Sequence, residues 1–577
     1  MSSLDPIELQ VILGALRAAC EEMGAALVRS AHSANIKERR DASTALFDRH
    51  GEMVMQAEHI PVHLGSMPAA VLAVLEREQR PGVSWVLNDP FEGGTHLPDI
   101  TVVTPVFADA PRARGGHRAL SPSNTPGGTL PQSSAQAPRT EPAPRGPLIG
   151  FAASRAHHAD VGGLVPGSMP ADSRTLEEEG VVIHPRELSE AAIEELVAQM
   201  RQPQERRADL RAQLAANRIG ALRLSKLAER VGAQRLATAM EEVLDYAERR
   251  TRACIAALTD GVREARDVLE APEGDLLLCL KATVAGEQLT LDFSGSAWRH
   301  SGNLNCPLAV TLSACWFAVR VLTDPDIPPS AGAYRPVEVI VPEGSLLNAK
   351  PPAHTGEPAP AVAAGNVETS SRVADLVLGA FGRALGQGTM NNLTLGNADF
   401  SYYETLGGGQ GACADADGPS GVHVAMSNTL NTPIEALERE LPLLVSEYSL
   451  RRDSGGAGVH RGGDGVVREL EALSDMTFSL IGERRRHAPS GANGGEAGRP
   501  GLDTLIGVDG KPRGLPSKTT GRLHAGERLR IETPGGGGYG AHPSGPIPMN
   551  SRPEQNSIRP GGGSDYRPDQ PGESARD

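Results

Sequence analysis

At 577 residues, 39% of them hydrophobic and 22% charged, the chain exceeds one ordinary core and has the composition of a soluble globular protein. A formal net charge of −15 argues against nucleic-acid binding, which requires a basic face. No apolar run approaches the roughly 18 residues of a membrane span, no signal-peptide pattern opens the chain, and six scattered cysteines suggest reduced thiols in a cytoplasmic protein.

The first element is a helix. Asp5 caps it, Pro6 suits its first turn, and Val11, Ile12, Leu16, Ala19, Met23 and Leu27 recur at helical spacing to about Ser30. Lys37 to Asp48 and Met53 to Gln56 read as two strands joined by an Arg-His-Gly turn. His59 and His63 come next, with Pro61 between them arguing against one helical face. Each is a pocket liner or an ordinary core or surface histidine. Gly65-Ser-Met-Pro68 reads as a turn ahead of a helix to about Glu78, and Trp85–Leu87 and Ile100–Thr104 as strands.

Between those strands lies Asn88-Asp-Pro-Phe-Glu-Gly-Gly-Thr-His-Leu-Pro-Asp99, and later comes Arg155-Ala-His-His-Ala-Asp-Val-Gly-Gly163. Both gather His and Asp beside turn residues and an apolar segment. Imidazole with carboxylate suits a divalent ion such as Zn, Mn or Fe. A loop rich in Asn, Pro and Gly can aim His96 and Asp99 at one point. The same residue types also cap turns, which is the alternative for either stretch taken alone.

Residues 110–147 are rich in Pro, Ser, Gly and Arg and read as a flexible insertion. Without it, the strand ending at Phe107 pairs with Leu148–Ala153 as a hairpin and returns His157 to the vicinity of Asp99. Leu188 to Gly261 is predominantly helical, broken at Gln202-Pro203-Gln204. Strands follow at Leu276–Leu280 and Leu289–Ser294, and helices at Pro307–Leu322 and Ser370–Gly386. After Phe400 the chain is rich in strands, turns and glycine clusters. The run Gly535-Gly-Gly-Gly-Tyr-Gly540 formally fits a dinucleotide fingerprint but precedes no helix, so no nucleotide site is read there. Gly407-Gly-Gly-Gln-Gly-Ala412 is a tight turn or a place where backbone approaches a ligand.

The expected fold is mixed α and β in several layers. An N-terminal α/β metal-site region covers 1–187, a helical region 188–265, an α/β region 266–400, a glycine-rich β-containing region 401–540, and a disordered tail 541–577.

The ordered series Ile36-Lys-Glu-Arg39, Asn88-Asp-Pro, Gly94-Thr-His-Leu-Pro-Asp99, Arg155-Ala-His-His-Ala-Asp160, Gly365-Asn-Val-Glu-Thr-Ser370, Tyr402-Tyr-Glu-Thr405 and Ser454-Gly-Gly-Ala-Gly458 resembles the hydantoinase B family. That family includes the B part of ATP-dependent 5-oxoprolinase and the alpha subunits of acetone carboxylases. The resemblance implies a division of labour in which a hydantoinase A-type partner uses ATP and the B part completes the reaction. It implies a divalent metal on His96, Asp99 and His157, with His158 and Asp160 as candidates to orient ligands or transfer a proton. The expected activity is ring opening of a hydantoin or 5-oxoproline-like cyclic amide within a hetero-oligomer. ATP acts only through the partner, and no cofactor other than the metal is expected. The alternatives are the alpha subunit of a ketone carboxylase and a non-catalytic scaffold for the A-type partner.

Overall fold

The computed structural model describes residues 4–57, 60–108, 146–352 and 356–541. The proposed insertion (but for its last two residues), the proposed tail (but for Ala541) and His59 lie outside the described residues. The architecture is mixed α and β, with sheets of six, four, four and five strands. No helix among the described residues is long and apolar enough to cross a membrane.

Helix α1 (Pro6–Ser30) starts as its sequence dictates, with the Asp5 carboxylate accepting from the Ile7 N–H. A single turn, α2 (Ala34–Lys37), then precedes β1 (Ala42–Asp48) and β2 (Met53–Ala57). The strand expected from Lys37 therefore begins five residues later. Arg40 adopts a left-handed φ of 57°, which breaks the turn from the strand and swings Asp41 inward. Helix α3 (His63–Leu75) also differs from expectation: it starts at His63 and runs through Pro68. Burial of Leu64, Met67, Ala70, Val71 and Val74 outweighs the hydrogen bond that the proline cannot make.

Strands β3 (Trp85–Leu87), β4 (Asp99–Phe107), β5 (Leu148–His157) and β6 (Arg186–Glu187) complete an antiparallel sheet in the order β2-β1-β5-β4-β3-β6. The expected β4–β5 hairpin forms, with Asp99 opposite His157 at one end and Phe107 opposite Leu148 at the other. Both faces of this sheet are covered, so β5 is buried along almost its whole length. Phe47, Phe151 and Trp85 pack under α3 on one side. On the other side lie α1 and, after the short α4 (Glu190–Val197), the long α5 (Pro203–Val231) and α6 (Ala233–Ala256). Close approach of α5 depends on Gly220, where a Cβ would sit 2.3 Å from Met23 Sδ.

The second sheet, β10-β9-β8-β7, contains β7 (Gly261–Ala271), β8 (Gly274–Ala285), β9 (Gln288–Asp292) and β10 (Val337–Ile340). Sequence reading missed β7. Its first residues are polar and exposed, so no apolar alternation marks them. Helices α7 (Leu308–Leu322) and α8 (Ser370–Ala380) cover this sheet in a core that draws side chains from Ile60 to Ile481.

Two further sheets face one another around Leu395, Phe478, Leu470 and Leu529. One contains β11 (Asn392–Gly396), β12 (Ser401–Glu404), β15 (Met476–Ile481) and β18 (Lys518–Leu523). The short α9 (Ile434–Glu440) leads into the other, formed by β13 (Leu443–Arg451), β14 (Gly465–Ala472), β16 (Leu502–Ile506), β17 (Pro512–Leu515) and β19 (Arg528–Glu532). The glycine runs are not hairpin turns. They lie against one another: Gly536 N–H donates to Gly463 O at 2.9 Å, and Gly456 N–H to Gly536 O at 2.8 Å. A Cβ on Gly409 would meet Gly463 O at 2.0 Å, so glycine is required here by proximity rather than by φ.

Candidate metal centre

The register of the β4–β5 hairpin sets Asp99 and His157 side by side at the end of two neighbouring strands. His96 reaches the same point from the loop before β4. That loop is held by Asn88, whose side chain donates to Leu97 O (2.7 Å) and Val181 O (2.9 Å) and accepts from Ile183 N–H (2.6 Å). Gly94 admits no side chain, because a Cβ would fall 2.1 Å from Asn88 O. From the sheet, buried Arg155 donates to Thr101 Oγ1 (2.6 Å), Gly93 O (2.8 Å) and Ser66 Oγ, tying loop, strand and α3 together. Burial pulls its pKa down to about 10, with the Asp99 charge opposing.

His96 Nε2 and His157 Nδ1 each lie 3.3 Å from Asp99 Oδ1, and 3.2 Å from one another. A tetrahedral ion with bonds of about 2.0–2.1 Å needs ligand atoms roughly 3.3 Å apart. The two imidazoles and the carboxylate therefore fit a divalent cation in both donor type and spacing. All three side chains are buried, and Thr95 Oγ1 donates to Asp99 Oδ2 at 2.6 Å to fix the carboxylate. Buried His96 Nδ1, His157 Nε2 and His63 Nε2 have no hydrogen-bond partner among the described residues.

Burial opposes ionisation of Asp99, yet His96, His157 and His63 together hold its carboxyl well below the usual range. Burial lowers His157 to about 4 against the pull of Asp99, so the imidazole is neutral at physiological pH. That is the state in which a histidine ligates a metal.

Two further groups stand on the pocket wall: Asp41, which sequence reading missed, and His63, which it offered as a pocket liner or an ordinary histidine. Asp41 lines the pocket beside the triad, and burial followed by the Asp99 charge raises it to about 7. Its signal was hidden inside a stretch read as strand. His63 also lines the pocket, with Nδ1 2.8 Å from Ser43 Oγ and Nε2 3.6 Å from Asp99 Oδ2. Tyr403 of β12 stacks on His157, with ring centroids 4.3 Å apart, and the Arg39 guanidinium lies 4.6 Å from the Tyr403 ring centre. The motifs around Arg39 and Tyr403 thus meet behind His157.

His158 and Asp160 are not brought into this pocket. His158 turns to the α5 side of the sheet, where Nε2 lies 3.0 Å from Gln213 Oε1. Asp160 accepts from Gly162 N–H, Gly167 N–H and Ser168 Oγ at 2.8, 2.8 and 2.9 Å, and from Arg201 at 3.1 Å. It holds the loop after β5 in shape. The free volume of the pocket is only ≈ 20 Å³, enough for an ion or about one water but not for a ring substrate.

Likeness to known proteins extends over almost the whole chain. It is 37% identical to 5-oxoprolinase 1 of Arabidopsis thaliana over 93% of its own length and 42% of the plant protein. It therefore spans about two fifths of that relative. A Pseudomonas sp. (strain NS671) protein named as the B component of a putative D-/L-hydantoinase is 28% identical, matching 96% of this chain and 92% of its own. The crystal structure of the ATP-dependent caprolactamase from Pseudomonas jessenii superposes with a TM-score of 0.81 at 28% identity, covering 93% and 92% of the two chains. The model of the hydantoinase B/oxoprolinase family matches residues 5–542. The chain belongs to the hydantoinase B/oxoprolinase family.

Proposed function

We propose that this chain is the metal-bearing B part of an ATP-dependent cyclic-amide hydrolase, acting with an ATP-binding A-type partner in a hetero-oligomer. The observation that carries the reading is the triangle of His96 Nε2, His157 Nδ1 and Asp99 Oδ1, with sides of 3.2–3.3 Å, on the floor of a buried pocket. Relatives named for opening 5-oxoproline, hydantoin and caprolactam rings supply the reaction class.

His96, Asp99 and His157 would hold the ion. A bound divalent ion supplies a Lewis acid for the amide or activated carbonyl and lowers the pKa of water. His63, kept neutral by burial and anchored through Nδ1 to Ser43, accepts the proton released as water attacks. Tyr403 and Arg39 keep the His157 ring in plane. His158 and Asp160 support the fold of the site and take no part in proton transfer.

Amide resonance makes an unstrained ring slow to open, which is the step that ATP chemistry on the partner assists. The test follows ring opening and phosphate release with this chain alone, the A-type partner alone, and the two mixed. Both activities should appear together and only in the mixture. Rapid ATP-independent ring opening by this chain alone would sink the two-part reading.

A further inference from the structure

The metal pocket is too small for a ring, so the substrate body must sit elsewhere. Beside it lies a chamber of ≈ 490 Å³, within the range of small-molecule sites. Pro61, Leu64, Phe317, Val321, Val424 and His423 line it, and five of these six are apolar. Ser427 and Asn428 line both spaces, so chamber and metal pocket share a wall. Leu64 comes from α3, Phe317 and Val321 from α7, and the shared wall from the segment 423–428.

That segment is held in an unusual shape. Ala425 has a φ of 51°, a left-handed value that is strained for a residue with a Cβ. Ser427 N–H donates to Val424 O at 3.2 Å, closing a turn around it. The turn brings Ser427 Oγ onto His423 Nδ1 and fixes the imidazole. His423 Nε2 is buried and has no hydrogen-bond partner among the described residues. A buried nitrogen left unsatisfied is costly unless a ligand completes it. On the same wall Arg320 donates to Ile327 O (2.9 Å) and Pro325 O (3.3 Å), tying down the segment after α7.

We propose that this chamber receives the ring of a small, neutral cyclic amide, and that His423 Nε2 makes the directed hydrogen bond to the ring amide. Ser427 orients His423, and with Asn428 it lines both the chamber and the metal pocket, so a ring in the chamber can present its amide to the metal cluster. The proposal rests on the hydrolase reading above and specifies its substrate as a ring with an apolar body. Burial lowers His423 to about 4, so a neutral imidazole offers a hydrogen bond without demanding a charged ligand.

The experiment titrates 2-piperidone, a neutral lactam, into the metal-loaded full chain by ligand-observed NMR. His423→Ala should weaken binding about tenfold, as loss of one hydrogen bond implies, with partial recovery in His423→Gln. Val321→Trp fills the chamber from a half-exposed helix position and should abolish binding while leaving metal content unchanged. Absence of binding by the wild-type chain, or equal affinity in wild type, His423→Ala and Val321→Trp, would overturn the proposal. Ring-opening assays with the A-type partner separate the two readings. Lactam bound in the chamber but never opened would defeat the hydrolase reading and keep the site; ring opening with unchanged KM in both variants would do the reverse.

Discussion

Two regions of this molecule are dense in sequence motifs, and they differ in what those motifs leave unsatisfied. In the pocket at the ends of β4 and β5, His96 Nε2, His157 Nδ1 and Asp99 Oδ1 converge to within 3.2–3.3 Å of one another and keep lone pairs for a cation. In the glycine layer formed by residues 407–411, 455–463 and 535–540, backbone groups pair with one another, as in Gly536 N–H with Gly463 O at 2.9 Å. Motif density is therefore a poor guide to chemistry. Residual ligating capacity is a better one, because donor atoms that converge on one point away from water cost stability unless a ligand completes them.

The sharpest way to break the comparison is to remove a ligand. His96→Ala and Asp99→Ala should each reduce bound divalent ion from about one per chain to none, measured by elemental analysis of purified protein. Ring opening in the reconstituted mixture should fall with it. Full occupancy in both variants would place the ion elsewhere.

The glycine layer should respond to substitution in the opposite way. A Cβ on Gly536 would lie 2.0 Å from Gln410 O, a contact only backbone movement relieves. Gly536→Ala should cost about 3 kcal/mol or more of stability, read as a lowered thermal midpoint. Whatever fraction stays folded should keep its metal, because no glycine of this layer lines the pocket. An unchanged midpoint would mean that the layer is looser than its hydrogen bonds imply.

Much of the fold was legible where period and punctuation agree. Helix α1 has its cap and apolar stripe, and the β4–β5 hairpin has two apolar strands that pair once the intervening insertion is set aside. The three expected ligands lie together because that hairpin pairs Asp99 with His157. What stayed hidden depends on tertiary contact. Asp41 enters the pocket through the left-handed Arg40, which the run Arg39-Arg40-Asp41-Ala42 does not announce. His63 reads in sequence as a pocket liner or an ordinary histidine, since Pro61 breaks its pairing with His59, and what fixes its place is the helix that begins after that proline. His158 and Asp160 looked functional by adjacency, but alternation along the chain turns His158 to the far side of the sheet. Packing of glycine against glycine has no sequence period at all, so those runs read in sequence as turns or as places where backbone approaches a ligand.

Glu179 sharpens the comparison with the smallest expected effect. Like Asp41 it is a buried carboxyl, but its oxygens are occupied by Val362 N–H (3.1 Å), Ala363 N–H (2.9 Å) and Ser173 Oγ (2.8 Å). Burial nevertheless raises it from 4.5 to about 7, against those hydrogen bonds. A carboxyl whose folded pKa lies above its unfolded value binds its proton more tightly when folded. Its contribution to stability is thus full below about pH 4.5 and is lost as pH rises to about 7. The slope in that window is at most ~1.4 kcal/mol per pH unit. Glu179→Gln keeps an acceptor oxygen for the Ala363 N–H and removes the titration. Thermal midpoints of wild type and variant, measured from pH 4.5 to 7.5, should therefore diverge, with the wild type falling more steeply as pH rises. Parallel curves would show that Glu179 stays ionised in the fold, as a carboxylate satisfied by its three donors would.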